Sequence, residues 1–160
     1  MTDNDQQPVP WGERGDNFLE ILVDMANRVA TDGFWPVTLF VGGQMVTGYI
    51  ASGRAYFEAI GQELVAGLVG SAEDDDQEPA ATLVKFFAQM GDTYPDRRAP
   101  GEAATDDASE PDKPEPRFIH LSGARVITPG QPAIPMNRPV WWRGRLDKVD
   151  GFIVGTLSTD

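Results

Sequence analysis

The sequence predicts an α+β domain. It should hold about five short strands in a small, strongly bent antiparallel sheet or barrel of the Sm/SH3-like kind, with flanking helices and an acidic, disordered insertion. Three observations predict this. Apolar and polar residues alternate in four runs, at 35–41, 45–50, 117–127 and 140–158, the period of half-buried strands. Glycines stand where tight reversals are needed, at Gly42-Gly43 and at Asp150-Gly151. Helix-period apolar stripes lie on either side of the first two runs.

Length and charge narrow the setting. A chain of 160 residues fits one domain with a tail, and a hydrophobic fraction of 41% leaves some of it outside the core. There is no cysteine, hence no disulfide, thiolate metal site or thiol nucleophile. The formal net charge is −12, and residues 71–116 alone hold 13 acidic and 4 basic side chains. Such a chain repels phosphate backbones, which argues against general nucleic-acid binding, although 138–148 forms a small basic patch. The first residues lack the basic start and apolar run of a signal peptide, and no apolar run approaches the ~18–20 residues that span a bilayer. A cytoplasmic location is expected.

Residues 1–15 are polar with Pro8 and Pro10 and form an expected disordered tail, in which Trp11 is a loosely docked aromatic or a partner contact. The domain then runs over 16–158. Asp16 is placed to cap a first helix, whose Phe18, Leu22, Met25 and Val29 fall at helical spacing, widened by Leu19 and Ala26. That stripe should cover the sheet, and Asp32-Gly33 should end the helix. Two strands follow, joined through Gly42-Gly43; this glycine pair leads into a strand and lacks a Lys-Ser/Thr, so it is no phosphate loop. Ser52 should cap a second helix, with Phe57, Ile60, Leu64 and Leu68 on one face, and Gly61 and Gly67 make it depend on packing.

The acidic segment 71–91 opens with Glu73-Asp74-Asp75-Asp76, which lacks the alternating ligands of a calcium loop. It continues as a short helix over 79–91 with Leu83, Phe86, Phe87 and Met90 on an apolar face, for the core or for a partner. Residues 92–116 carry five prolines among Asp, Glu, Ala and Ser and are expected to form a disordered acidic linker. The sheet resumes at 117–127, and a proline-rich loop around Met136 leads to the last stretch. There Val140, Trp142 and Leu146 alternate with Trp141, Arg143, Arg145 and Asp147. The Asp-Gly pair predicts a hairpin folded back at 149–152, with Gly144 and Gly155 marking bulges or bends.

Phe118-Ile119-His120-Leu121, followed by Trp142-Arg143-Gly144-Arg145 and then Val149-Asp150-Gly151-Phe152 with Gly155, resembles the gas-vesicle accessory protein U family. Val41, Gly43, Gly48, Ile50, Ser52, Tyr56 and Phe57 are similar to its N-terminal half. The likeness covers residues 17–70 and 117–158, and its specificity lies in order and spacing. It implies a non-enzymatic accessory factor rather than the shell itself, whose proteins are shorter and far more apolar. It also implies a role in vesicle assembly or vesicle–vesicle association, vesicle shell or assembly proteins as partners, and a vesicle-associated location. The linker is longer and more proline-rich than that family leads one to expect.

The residues themselves offer little chemistry. His120 is the only histidine, and Ser122 beside it has no orienting acid. Asp147 and Asp150 lack a shaped apolar pocket. No enzyme, cofactor or metal is expected. Trp141, Arg143 and Arg145 share one strand face and are the candidate partner-binding residues, with self-association possible. The alternative is an Sm-like barrel binding RNA through that same basic and aromatic face.

Overall fold

The computed structural model describes residues 17–69, 77–94, 116–135 and 137–157. The elements in chain order are helix α1 (Asn17–Arg28), strands β1 (Trp35–Val41) and β2 (Gln44–Ala51), helices α2 (Gly53–Val69) and α3 (Gln77–Gly91), then strands β3 (Phe118–Ile127), β4 (Val140–Arg145) and β5 (Gly151–Val154). A 3-10 turn at Leu146–Lys148 joins the last two strands. All neighbouring strands are antiparallel, in the order β4-β3-β2-β1-β5.

The α+β class and the five antiparallel strands therefore stand. Of the sheet or barrel expected it is the barrel that does not form, and the expected hairpin does not form either. The sheet is not closed into a barrel, because β4 and β5 lie at its opposite edges. The last stretch is also not a hairpin. Asp150 and Gly151 lack the positive φ of a tight primed turn; β4 and β5 run in the same sense across the sheet, and the 3-10 turn between them buries Leu146 in the core. β5 then pairs with β1, setting Phe152 opposite Leu39, and the Asp150 side chain accepts a hydrogen bond from the Gly42 N–H at 2.8 Å. The Gly42-Gly43 turn does form, with φ of 56° and 79°, and sets Val41 opposite Gln44.

One sheet face carries the core. Val37, Leu39, Val46, Ile50, Ile119, Leu121 and Ala124 meet Leu19, Val23 and Ala26 of α1, with Trp142 and Phe152 packed at the margins. Full burial of each Leu, Ile or Val contributes roughly 1.5–3 kcal/mol. The buried side of α1 is thus centred on Leu19, Val23 and Ala26, which corrects the expected stripe: Phe18, Met25 and Val29 are exposed and Leu22 is half-buried. The helix is apolar over a wider arc than the sheet covers.

Its C-terminus also differs from expectation. α1 ends at Arg28, with Ala30 in the left-handed region at φ 47°. The Thr31 N–H bonds to the Ala26 carbonyl and the Ala30 N–H to the Asn27 carbonyl, the pattern of a Schellman cap without its usual glycine. Asn27, buried at this end, accepts a hydrogen bond from the Gly53 N–H at 2.8 Å. Ser52 caps α2 as expected, its Oγ accepting from the Ala55 N–H.

The bulge assigned to Gly144 lies elsewhere. Gly144 pairs in register with Ile119, and a Cβ on it would overlap the Trp142 ring, so its glycine makes room for the indole. The ladder shifts instead between Leu121 and Ala124, where Gly123 has φ +62° and Gly48 of β2 leaves room for the β3 backbone. α2 and α3 run antiparallel, close at Gly61 against Phe87 and at Gly91 against Arg54. The tail 1–15, the Asp16 cap, Met136 and most of the acidic linker lie outside the described residues.

Candidate interaction surface

The sheet face opposite the core carries the candidate residues. β4 alternation puts Trp142 on the core side and Trp141, Arg143 and Arg145 on the other, as their spacing predicts. The cross-strand register sets Arg143 opposite His120 and Arg145 opposite Phe118. α2 rises from the same end of the sheet and brings Tyr56 and Phe57 over His120. Tyr94, just past α3, closes the group with its ring 5.5 Å from the imidazole, and Gly53 is its seat: a Cβ there would meet the Tyr94 ring.

Arg143 joins this cluster. Its guanidinium carbon lies 3.6 Å from the centre of the Phe118 ring and 5.6 Å from that of Phe57, stacking the cation on aromatic faces. Its Nε donates to Nε2 of His120 at 3.3 Å. Arginine can only donate, so Nε2 is the acceptor, the ring proton of the fully buried His120 sits on Nδ1, and Nδ1 meets no acceptor among the described residues. Burial, with the Arg143 charge beside it, pushes the His120 pKa down to about 3. Its imidazole is neutral at ordinary pH. Burial likewise raises the Tyr56 phenol.

Trp141 stands edge-on to Tyr56 at 6.2 Å and is half-buried. Arg145 pairs instead with the 3-10 turn, where its Nε donates to Asp147 at 2.8 Å and its second nitrogen to the other carboxylate oxygen. That fork holds the Asp147 carboxyl below its usual range, in full solvent. The structure therefore brings Trp141 and Arg143 together over α2 and sets Arg145 apart with the 3-10 turn. Sequence reasoning missed Phe118, His120 and Tyr94 as members of the group. The strand pattern of 117–127 placed Phe118 and His120 on one face, but nothing local linked them to Tyr94.

The sequence profile of the GvpU-like gas vesicle proteins matches residues 16–157. The chain belongs to this family. No curated protein and no solved structure matches it. The GvpU-like match spans the residues of all the described elements, and it is not a known enzyme family. Among the described residues, no three His, Cys, Asp or Glu side chains converge as metal ligands, and no helix is long and apolar enough to cross a membrane. An open groove of about 640 Å³ is lined by Pro79, Thr82, Leu83 and Phe86 of α3.

Proposed function

We propose that the protein is a non-catalytic accessory factor of gas vesicles that binds a vesicle shell or assembly protein through the β4 face bearing Trp141, Arg143 and Arg145. The observation that carries the reading is the match to GvpU-like proteins, joined to what that face presents. It pairs an indole with two guanidinium groups, the residue types most enriched where protein interfaces concentrate their energy. The face is also held in shape: stacking of Arg143 on Phe118 and the edge-on contact of Trp141 with Tyr56 lower the entropy lost when a partner docks.

The test is co-sedimentation with purified vesicles. Arg143 is packed against His120, so Arg143→Ala mixes binding with folding. Trp141→Ala combined with Arg145→Ala leaves that contact in place and should weaken retention at least tenfold, with thermal unfolding little changed. Equal retention of parent and variant rules the face out.

The runner-up reading is an Sm-like fold that binds RNA. It is favoured by a helix ahead of five antiparallel strands with a 3-10 turn before the last, although α2 and α3 interrupt the strands between β2 and β3. Against it stand the net charge of −12 and the engagement of the basic groups, Arg143 on Phe118 and Arg145 on Asp147. Salt-sensitive retention on RNA, with none on vesicles, would replace the first reading by this one.

A further inference from the structure

We propose that the exposed apolar flank of α1, together with the edge strand β5, is the contact between two copies of this chain, packed α1 against α1 about a twofold axis. Phe18 is 54% exposed, Ile21 55%, Met25 45%, Val29 48% and Val154 67%. Ile21, Met25 and Val29 recur at helical spacing on one side of α1, while Leu19, Val23 and Ala26 take the side against the sheet. The stacking of Phe18 on Phe152, 5.9 Å between ring centres, shows that this flank faces β5. Val154 lies two residues beyond Phe152, on the same side of the strand. The patch is therefore continuous from helix to sheet edge. Along that edge β5 has β1 on one side and no strand on the other among the described residues.

A second copy is the occupant that size and charge favour. These side chains present on the order of 500 Å² of apolar surface, at the upper end of what a monomer keeps in one patch and over half of the ~800 Å² per partner in a standard interface. The patch carries no formal charge, and the nearest ion pair on α1, Asp24 with Arg28, is neutralised internally at 2.6 Å. In a chain of net charge −12, two like copies meet with least repulsion at such a place. A partner selected by charge would find nothing there to read. The stripe is also self-complementary: antiparallel packing about a twofold sets Val29 towards the partner's start of α1 and brings both copies of Ile21 and Met25 to the centre. This contact is independent of the β4 face, which lies on the opposite side of the sheet.

Sedimentation velocity on the full chain, from about 1 to about 100 μM, reads the association directly. A parent dimer that becomes monomeric in Ile21→Glu/Met25→Glu, with unchanged helix content, supports the proposal. A parent that stays monomeric across the range overturns it, and so does a double variant that dimerises as well as the parent. The absence of cysteine supplies a second measurement that needs no disruptive variant. Met25→Cys should be joined to its own copy by a short bis-maleimide, and Leu64→Cys, on the exposed side of α2, should not. Equal joining of both places the contact elsewhere. If the double variant keeps its mass but loses vesicle retention, the patch binds a vesicle protein and the self-contact is wrong.

Discussion

His120 makes the fold's stability depend on pH in a defined direction. The unfolded chain binds its proton with a pKa near 6.5, whereas the folded chain binds it only at about 3. Between those values the unfolded state holds more protons. The contribution is fully present above about pH 6.5 and is lost as the pH falls, by up to about 1.4 kcal/mol per unit. His120→Phe removes the titrating group and keeps a ring among Tyr56, Phe57 and Tyr94. Urea unfolding at pH 7.5 and 5.5 should show the parent losing at least about 1 kcal/mol more than the variant between the two. Parallel losses would mean that the folded imidazole protonates as readily as the unfolded one. Ala30 offers a second residue-scale test, because its left-handed φ of 47° in the α1 cap suits glycine better. Ala30→Gly should stabilise by about 1 kcal/mol, visible as a higher midpoint with an unchanged urea slope. A lower midpoint would show that the cap tolerates alanine without strain.

At the scale of elements, the decisive fact is where the chain reverses. Gly43 has φ 79° and Gly151 does not have positive φ, and neither has any atom within 4 Å of an added Cβ. The two glycines therefore isolate the backbone effect. Gly43→Ala should cost about 1 kcal/mol, and Gly151→Ala should be within about 0.5 kcal/mol of the parent. A hairpin turning at Asp150-Gly151 would instead make the two costs alike. Gly144 tests packing instead: its alanine variant forces the Trp142 ring off the core and should cost about 1–3 kcal/mol. The helical pair is tied to α1 where Asn27 holds the start of α2, and to the sheet where Tyr56, Phe57 and Tyr94 close over His120.

For the whole molecule, the sheet interleaves the two halves of the chain. β3 and β4 extend the sheet from β2, and β5 returns to the far side of β1, so strands from both sides of the acidic linker share one sheet. The linker composition points to tryptic cleavage at Arg97 or Arg98. The two fragments should remain associated in native buffer, because separating them breaks the β1–β5 and β2–β3 ladders together. Fragments that part without denaturant would contradict the shared sheet. A dimer through α1 would carry two β4 faces on the far sides of its two sheets, a bivalent arrangement in which avidity exceeds the affinity of either face.

What the sequence determined by itself were the features governed by neighbours a few residues apart. The period-2 and helical runs, the Ser52 cap and the Gly42-Gly43 turn all formed where local stereochemistry demanded them. The placing of Trp141, Arg143 and Arg145 on one face is of the same kind, since alternation along a strand needs no knowledge of its partner. The tertiary structure decided what depends on competition between distant surfaces. Asp150-Gly151 suits a hairpin turn, yet burying Leu146 and pairing Phe152 with Leu39 gains more apolar contact than a local reversal would. α1 has more apolar surface than one sheet face can cover, and only the docked helix shows that Leu19, Val23 and Ala26 go inward while Ile21, Met25 and Val29 remain outside. His120 reads alike in either setting along the chain; its neutrality comes from Tyr56, Phe57, Tyr94 and Arg143, brought from three other parts of the sequence to exclude water from it.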